Sequence, residues 1–120
     1  MLLGDFYNIT EATTEGQNLR VKVSFNPTHQ IFKGHFPELP VVPGVCQLQM
    51  LTEVMSHVLK REIELVHASH VKFLKLLNPT EFPDLLLEIN FSGQPGDKLV
   101  VQSNYSWGEN IFFRFKGELK

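Results

Sequence analysis

From residue 19 to residue 25 the chain alternates: Leu19, Val21, Val23 and Phe25 fall on one side, Arg20, Lys22 and Ser24 on the other. A period of two sends successive side chains to opposite faces, so this segment reads as a strand with one face in a core. Residues 26–44 break the pattern with Pro27, Pro37, Pro40 and Pro43. Proline fixes φ and has no N–H to donate, so this stretch is expected to be irregular, neither central strand nor helix interior. Residues 45–61 then contain no glycine or proline, and Leu48, Leu51, Met55, Val58 and Leu59 recur at spacings of three and four. That spacing predicts a helix with one apolar stripe and with Gln49, Glu53, Ser56 and Lys60 on the opposite face. Pro43-Gly44 forms its entry, which leaves the first free N–H groups on Gly44 and the residues just after it.

Beyond the helix the pattern returns to strands, expected over residues 62–68, 70–75, 85–91, 99–106 and 111–119. The breaks fall at Asn78-Pro79 and at residues 92–97 and 107–110, the last two being hairpin signals. One long helix among about six strands, without βαβ alternation, predicts an α+β fold with an antiparallel sheet. The 120 residues are expected to form a single domain around one core.

Composition narrows the function classes. A hydrophobic share of 42% and a charged share of 20% are those of a folded domain. The net charge of -2 provides no basic field for nucleic acid or an anionic membrane. A single cysteine excludes an intrachain disulfide and fits a reducing compartment. The start, MLLGDFYNIT, lacks the features of a signal peptide, and no run approaches the roughly 18 apolar residues of a membrane span. The expectation is a soluble, cytoplasmic protein. Ten phenylalanines suggest a core or tunnel rich in apolar rings.

The most informative run is Gly34-His35-Phe36-Pro37-Glu38-Leu39-Pro40-Val41-Val42-Pro43-Gly44-Val45. It resembles the "GHFP…P…PGV" signature of the hot-dog-fold 3-hydroxyacyl-acyl-carrier-protein dehydratases. The run Val71-Lys72-Phe73-Leu74-Lys75, followed by Asn78-Pro79, is similar to the strand and turn downstream in that family. The resemblance covers roughly residues 15–119. It implies a sheet wrapped around one helix, and a homodimer, or a heterodimer with a paralogue, whose sheets run together. Each active site then lies between two chains, and the substrate arrives on the phosphopantetheine of an acyl-carrier protein. No cofactor or metal is implied.

The resemblance also assigns roles. Removing water from a β-hydroxyacyl thioester needs a base at C2, an acid at the C3 oxygen and fixed donors for the enolate-like charge. His35 takes the place of the base. Gly44 N–H, at a helix start, takes the place of the oxyanion donor, with Val45 and Phe36 beside the substrate. The family's carboxylate falls fourteen residues after the histidine, and here that position is Gln49. An amide has no titratable proton to give. The run Val45-Cys46-Gln47-Leu48-Gln49 resembles an aryl-polyene branch of dehydratase-like proteins that carries Gln-Leu-Asp at these places.

Many of these dehydratases carry a carboxylate, three residues, then glutamine. This helix has Gln49 and Glu53, the two types exchanged and one turn apart. His35, Gln49 and Glu53 are therefore the catalytic candidates, with Glu53 either a displaced acid or an interface or surface charge. Three functions follow: a dehydratase weakened at Gln49, a non-catalytic subunit that binds acyl-carrier protein or pairs with an active paralogue, and a hot-dog thioesterase.

Other chemistry-bearing residues have plainer readings. His29, His57, His67 and His70 lack metal-ligand spacing and are expected on the surface or in the sheet. Cys46 is expected to pack rather than react. Phe112, Phe113 and Phe115 are expected in a strand core. Lys33, Lys72 and Lys75 are candidates for meeting an acidic carrier protein.

Overall fold

The structure, a computed structural model, describes residues 1–34, 40–94 and 96–120. Six strands form one sheet: β1 (Tyr7–Glu15), β2 (Asn18–Phe25), β3 (Leu65–Phe73), β4 (Asp84–Ser92), β5 (Leu99–Trp107) and β6 (Asn110–Leu119). Two helices lie between β2 and β3: α1 (Gln30–Gly34) and the long α2 (Gly44–Leu59). Strand order is β1-β2-β4-β5-β6-β3, antiparallel throughout. This is the expected α+β hot-dog arrangement.

One face of the sheet closes on α2. Met50, Leu51, Val54 and Met55 of the helix share a buried cluster with Val21 and Val23, Leu85 and Leu87, Val101 and Tyr105, and Phe113 and Phe115. Each such side chain removed from water contributes roughly 1.5–3 kcal/mol, so the helix holds the sheet's curvature by burial rather than by its caps. The phenylalanines follow the same logic. Phe6, Phe25 and Phe32 pack ring on ring, Phe112, Phe113 and Phe115 are buried in β6, and only Phe73 borders the cavity at the start of α2. Among the described residues most of these rings build the core.

Three local expectations need correction. First, no strand is expected before residue 19, yet β1 lies there; it shows no alternation, because beyond Tyr7 and Ile9 it is exposed along its length. An edge strand with little burial leaves no period-two signal. Second, residues 62–68 and 70–75 are not two strands but the single β3, whose register against β6 shifts at Leu65/His67 and Ala68/His70. Each shift moves side chains to the other face and resets the period. Third, the buried face of α2 is rotated from the expected stripe: it comprises Cys46, Gln47, Met50, Leu51, Glu53, Val54 and Met55. Leu48, Val58 and Leu59 are only partly buried.

The two edges of the sheet differ in chemistry. On β1, Asn8, Thr10, Glu11, Thr13, Thr14 and Glu15 are exposed and polar. On β3 and the turn after it, Leu65, Val66, Phe73, Leu74 and Leu76 are exposed and apolar. Among the described residues no helix is long and apolar enough to cross a membrane.

Candidate functional site

Helix α2 begins with Pro43 in an extended conformation at its N-cap and has no side-chain cap. The N–H groups of Cys46 and Gln47 both donate to the Pro43 carbonyl, at 3.0 and 3.1 Å. Those of Gly44 and Val45 find no acceptor among the described residues. Such orphan donors at the positive end of the helix dipole suit an oxygen with developing negative charge. Gly44, but not Val45, borders a cavity of about 560 Å³ lined also by Val41, Pro43, Gln47, Phe73 and Leu76. A Cβ at Gly44 would sit 2.8 Å from Cζ of Phe73, so that half-exposed ring would have to shift to admit one.

Gln47 closes the inner wall. Its Nε2 donates to the Val42 carbonyl at 3.1 Å, and its backbone carbonyl accepts from the Tyr105 hydroxyl at 2.8 Å. Its Oε1 is buried and has no partner among the described residues. The sequence carried a signal for this: a glutamine on the apolar side of the helix, between Cys46 and Met50.

One turn further along, Glu53 is 6% exposed, so it is neither a surface charge nor an open one. Leu2 N–H donates to both its oxygens, at 3.1 and 2.9 Å, and Leu3 N–H donates at 2.8 Å. The Tyr7 hydroxyl donates at 3.0 Å and Gln49 Nε2 at 2.9 Å. Burial pushes the Glu53 carboxyl up, but the donors from Leu2, Gln49, Leu3 and Tyr7 outweigh it and hold the group below its ordinary value. Burial and the Glu53 charge push the Tyr7 hydroxyl well up. Glu53 thus stands as an anion that clamps the amino-terminal arm to the helix. The partners of this clamp were not legible beforehand, because two of its donors are backbone groups. Beside it lies a cavity of about 650 Å³, lined by Leu3, Gln49, Thr52, Glu53, Ser56 and His57 among others.

His35 and Phe36 lie outside the described residues, so the site is framed here by Gly44, Val45, Gln49 and Glu53. Gly44 and Val45 share the helix start, while Gln49 and Glu53 sit together on the next turns, 2.9 Å apart. Cys46 is buried, and burial, then Glu53, push its thiol up, the opposite of what a nucleophile needs. His29 is neither on the open surface nor in the sheet: its Nε2 meets Asp5 at 2.9 Å and its Nδ1 accepts from Ile31 N–H. Lys75 is exposed, its Nζ donates to Asn110 at 2.7 Å and it lies over the Phe82 ring. Lys33 and Lys72 are exposed.

Residues 11–104 match the ApeI-like family, described as ApeI dehydratase. The 3-hydroxyacyl-[acyl-carrier-protein] dehydratase FabZ of Novosphingobium aromaticivorans is 33% identical over 104 residues, covering 70% of this chain and 64% of that protein. Its counterpart from Proteus mirabilis is 27% identical over 108 residues, covering 88% of this chain and 66% of that protein. The chain therefore spans slightly less than two thirds of these relatives' length. A chain of the dehydratase heterocomplex ApeI:P from Xenorhabdus doucetiae superposes with a TM-score of 0.75 at 24% identity, over 92% of this chain and 95% of that one. A phenylacetic acid degradation-related protein from Ralstonia eutropha shares the fold at 12% identity, with a TM-score of 0.65 over 94% and 83% of the two chains. With the family match spanning most of the chain, and the signature glycine at the uncapped start of the central helix, this protein belongs to the ApeI-like dehydratase family.

Proposed function

We propose that this chain is a subunit of a 3-hydroxyacyl-acyl-carrier-protein dehydratase, removing water from a β-hydroxyacyl thioester carried on phosphopantetheine. The observation that carries the reading is the helix start at Gly44 and Val45, whose N–H groups have no acceptor among the described residues and where Gly44 borders a cavity, in a member of a dehydratase family. The thioester oxygen is placed against these donors, so charge that builds on it as the C2 proton leaves meets fixed dipoles without reorganisation. By the family resemblance, His35 takes that proton and Phe36 lies beside the substrate. The C3–oxygen bond then breaks and the departing hydroxide must be protonated to leave as water.

That last step is where this chain is deficient. Gln49 has no titratable proton, and Glu53 is ionised and saturated by donors. The acid therefore comes from elsewhere, and a second chain is its natural source. The exposed apolar edge at β3 supports pairing there, because an open edge with apolar side chains is a template for association, whereas the polar β1 edge is guarded. In a homodimer each site meets Gln49. In a heterodimer with a paralogue that carries the carboxylate, one site is complete, with His35 and Gly44 from this chain and the acid from its partner; the other lacks its acid. The second reading, a subunit that binds acyl-carrier protein without turning over alone, is the homodimer limit of the same arrangement. A thioesterase reading is weaker, since Glu53 has no free electron pair oriented for water. The setting we propose is cytoplasmic.

The test follows enoyl formation from 3-hydroxyacyl-acyl-carrier protein, using the purified chain alone and mixed with candidate paralogues. We expect little turnover alone and full turnover in a one-to-one mixture. Ordinary turnover by the isolated chain would remove the need for a partner's acid. No turnover and no substrate binding in any mixture would overturn the dehydratase reading.

A further inference from the structure

We infer that Glu53 is a positioning residue that turns the Gln49 amide so that its carbonyl oxygen, and not its NH2, receives the hydroxyl of a 3-hydroxyacyl ligand. The inference rests on the dehydratase reading above. An ionised carboxylate only accepts hydrogen bonds, so the one atom of Gln49 that can lie 2.9 Å from Glu53 Oε2 is Nε2. The two ends of the amide are therefore distinguished. Leu2, Leu3 and Tyr7 donate to the same carboxylate and keep it in place, so it cannot rotate away from Gln49.

Gln49 is exposed and lines the cavity of about 650 Å³, and its Oε1 has no hydrogen-bond partner among the described residues. Donation from Nε2 to an anion also polarises the amide and makes that oxygen a stronger acceptor. A hydroxyl hydrogen fits it. A ketone oxygen is repelled by it, and a methylene leaves it unpaired. Position 49 thus selects the β-hydroxyacyl class without supplying a proton to it. Glu53 does not touch the ligand and acts through Gln49 alone.

The experiment uses the full chain, alone and in its assembled form, with three unreactive pantetheine amides carrying 3-hydroxyacyl, 3-oxoacyl or unsubstituted acyl groups of one length. Calorimetry gives the affinity of each. Wild type is expected to bind the hydroxyl compound about tenfold more tightly than the unsubstituted one, the scale of one net hydrogen bond. Gln49→Leu is expected to bring that ratio to about one, whatever its effect on the affinity for the unsubstituted compound. In Glu53→Gln the carboxylate no longer dictates the amide's orientation. The hydroxyl-over-oxo preference is then expected to fall or reverse, an effect that a merely structural loss, lowering all three affinities together, does not produce. If Glu53→Gln does not fold, the wild-type ratios and Gln49→Leu still decide. Binding of all three compounds by wild type with equal affinity would refute the inference and leave the dehydratase reading intact. Binding of none, alone or in any assembly, would remove the dehydratase reading and the inference with it.

Discussion

Replacing Gln49 by glutamate sets a second carboxyl against Glu53, and what the pair does with one proton can be worked out. The amide nitrogen is 2.9 Å from Glu53 Oε2, and an oxygen of the new side chain takes its place. Two carboxylates with charge centres about 4 Å apart repel by about 1 kcal/mol in bulk water and about 4 kcal/mol at an effective dielectric of 20. At about 1.36 kcal/mol per unit, the upper apparent pKa of the pair rises by roughly one to three units above about 4.3, to roughly 5–7. The proton belongs to the new carboxyl, because Glu53 keeps Leu2, Leu3 and Tyr7 as donors. The substitution therefore creates a carboxylic acid that is still partly protonated near neutral pH, at the place where the reaction lacks one. A carboxyl titration by NMR should show one group in that raised range. Enoyl formation by the variant alone should appear with an alkaline limb that follows it. The raised pKa also costs stability as pH rises through it, so the variant should melt below wild type above about pH 7 and recover on mild acidification. Two carboxyls titrating independently near 4 would refute the reasoning, and so would activity without that alkaline limb.

Glu53→Ala strands the Leu2 and Leu3 N–H groups and the Tyr7 hydroxyl, which should cost about 3 kcal/mol and, for a chain of this size, roughly 10 °C in melting temperature by calorimetry. Because the Glu53 pKa is lowered in the folded state, its stabilisation is present above the ordinary value of 4.5 and is lost as pH falls through the folded value. The gap between wild type and Glu53→Gln should therefore narrow in acid. Lys60 ends α2 with φ 56°, a left-handed conformation that a side chain resists. Lys60→Gly should raise stability by about 0.5–1 kcal/mol, read as a higher denaturant midpoint. Val66→Asp on the apolar edge should shift the mass seen by light scattering from at least twice 13.8 kDa toward 13.8 kDa, with little change in secondary structure by circular dichroism.

Legibility in the sequence followed burial. Strand β2 was readable because Leu19, Val21 and Val23 are buried while Arg20 and Lys22 are not. Edge strand β1 was invisible for the opposite reason, and the count of about six strands survived only because β3 was read as two. The helix start was legible from Pro43-Gly44, a signal set by covalent geometry. Glu53 was misread as a residue of the polar face because its burial depends on donors 50 and 51 positions away, and a backbone N–H carries no residue identity. Gln49 was singled out by counting from His35, but its orientation is set by that same distant clamp.

The strand order has a consequence for synthesis. Within the sheet β3 pairs only with β6, and it is made well before it. From Phe73 at the end of β3 to Leu119 at the end of β6 the ribosome must add 46 residues. At about 5–20 residues per second, that is roughly 2–9 s. Throughout that interval Leu65, Val66 and Phe73 have neither their neighbour in the sheet nor a partner subunit. A nascent chain in this state offers apolar strand on both edges, so slow translation of the last third of the message, or crowding of ribosomes on it, should send more of the product to chaperones or into inclusion bodies.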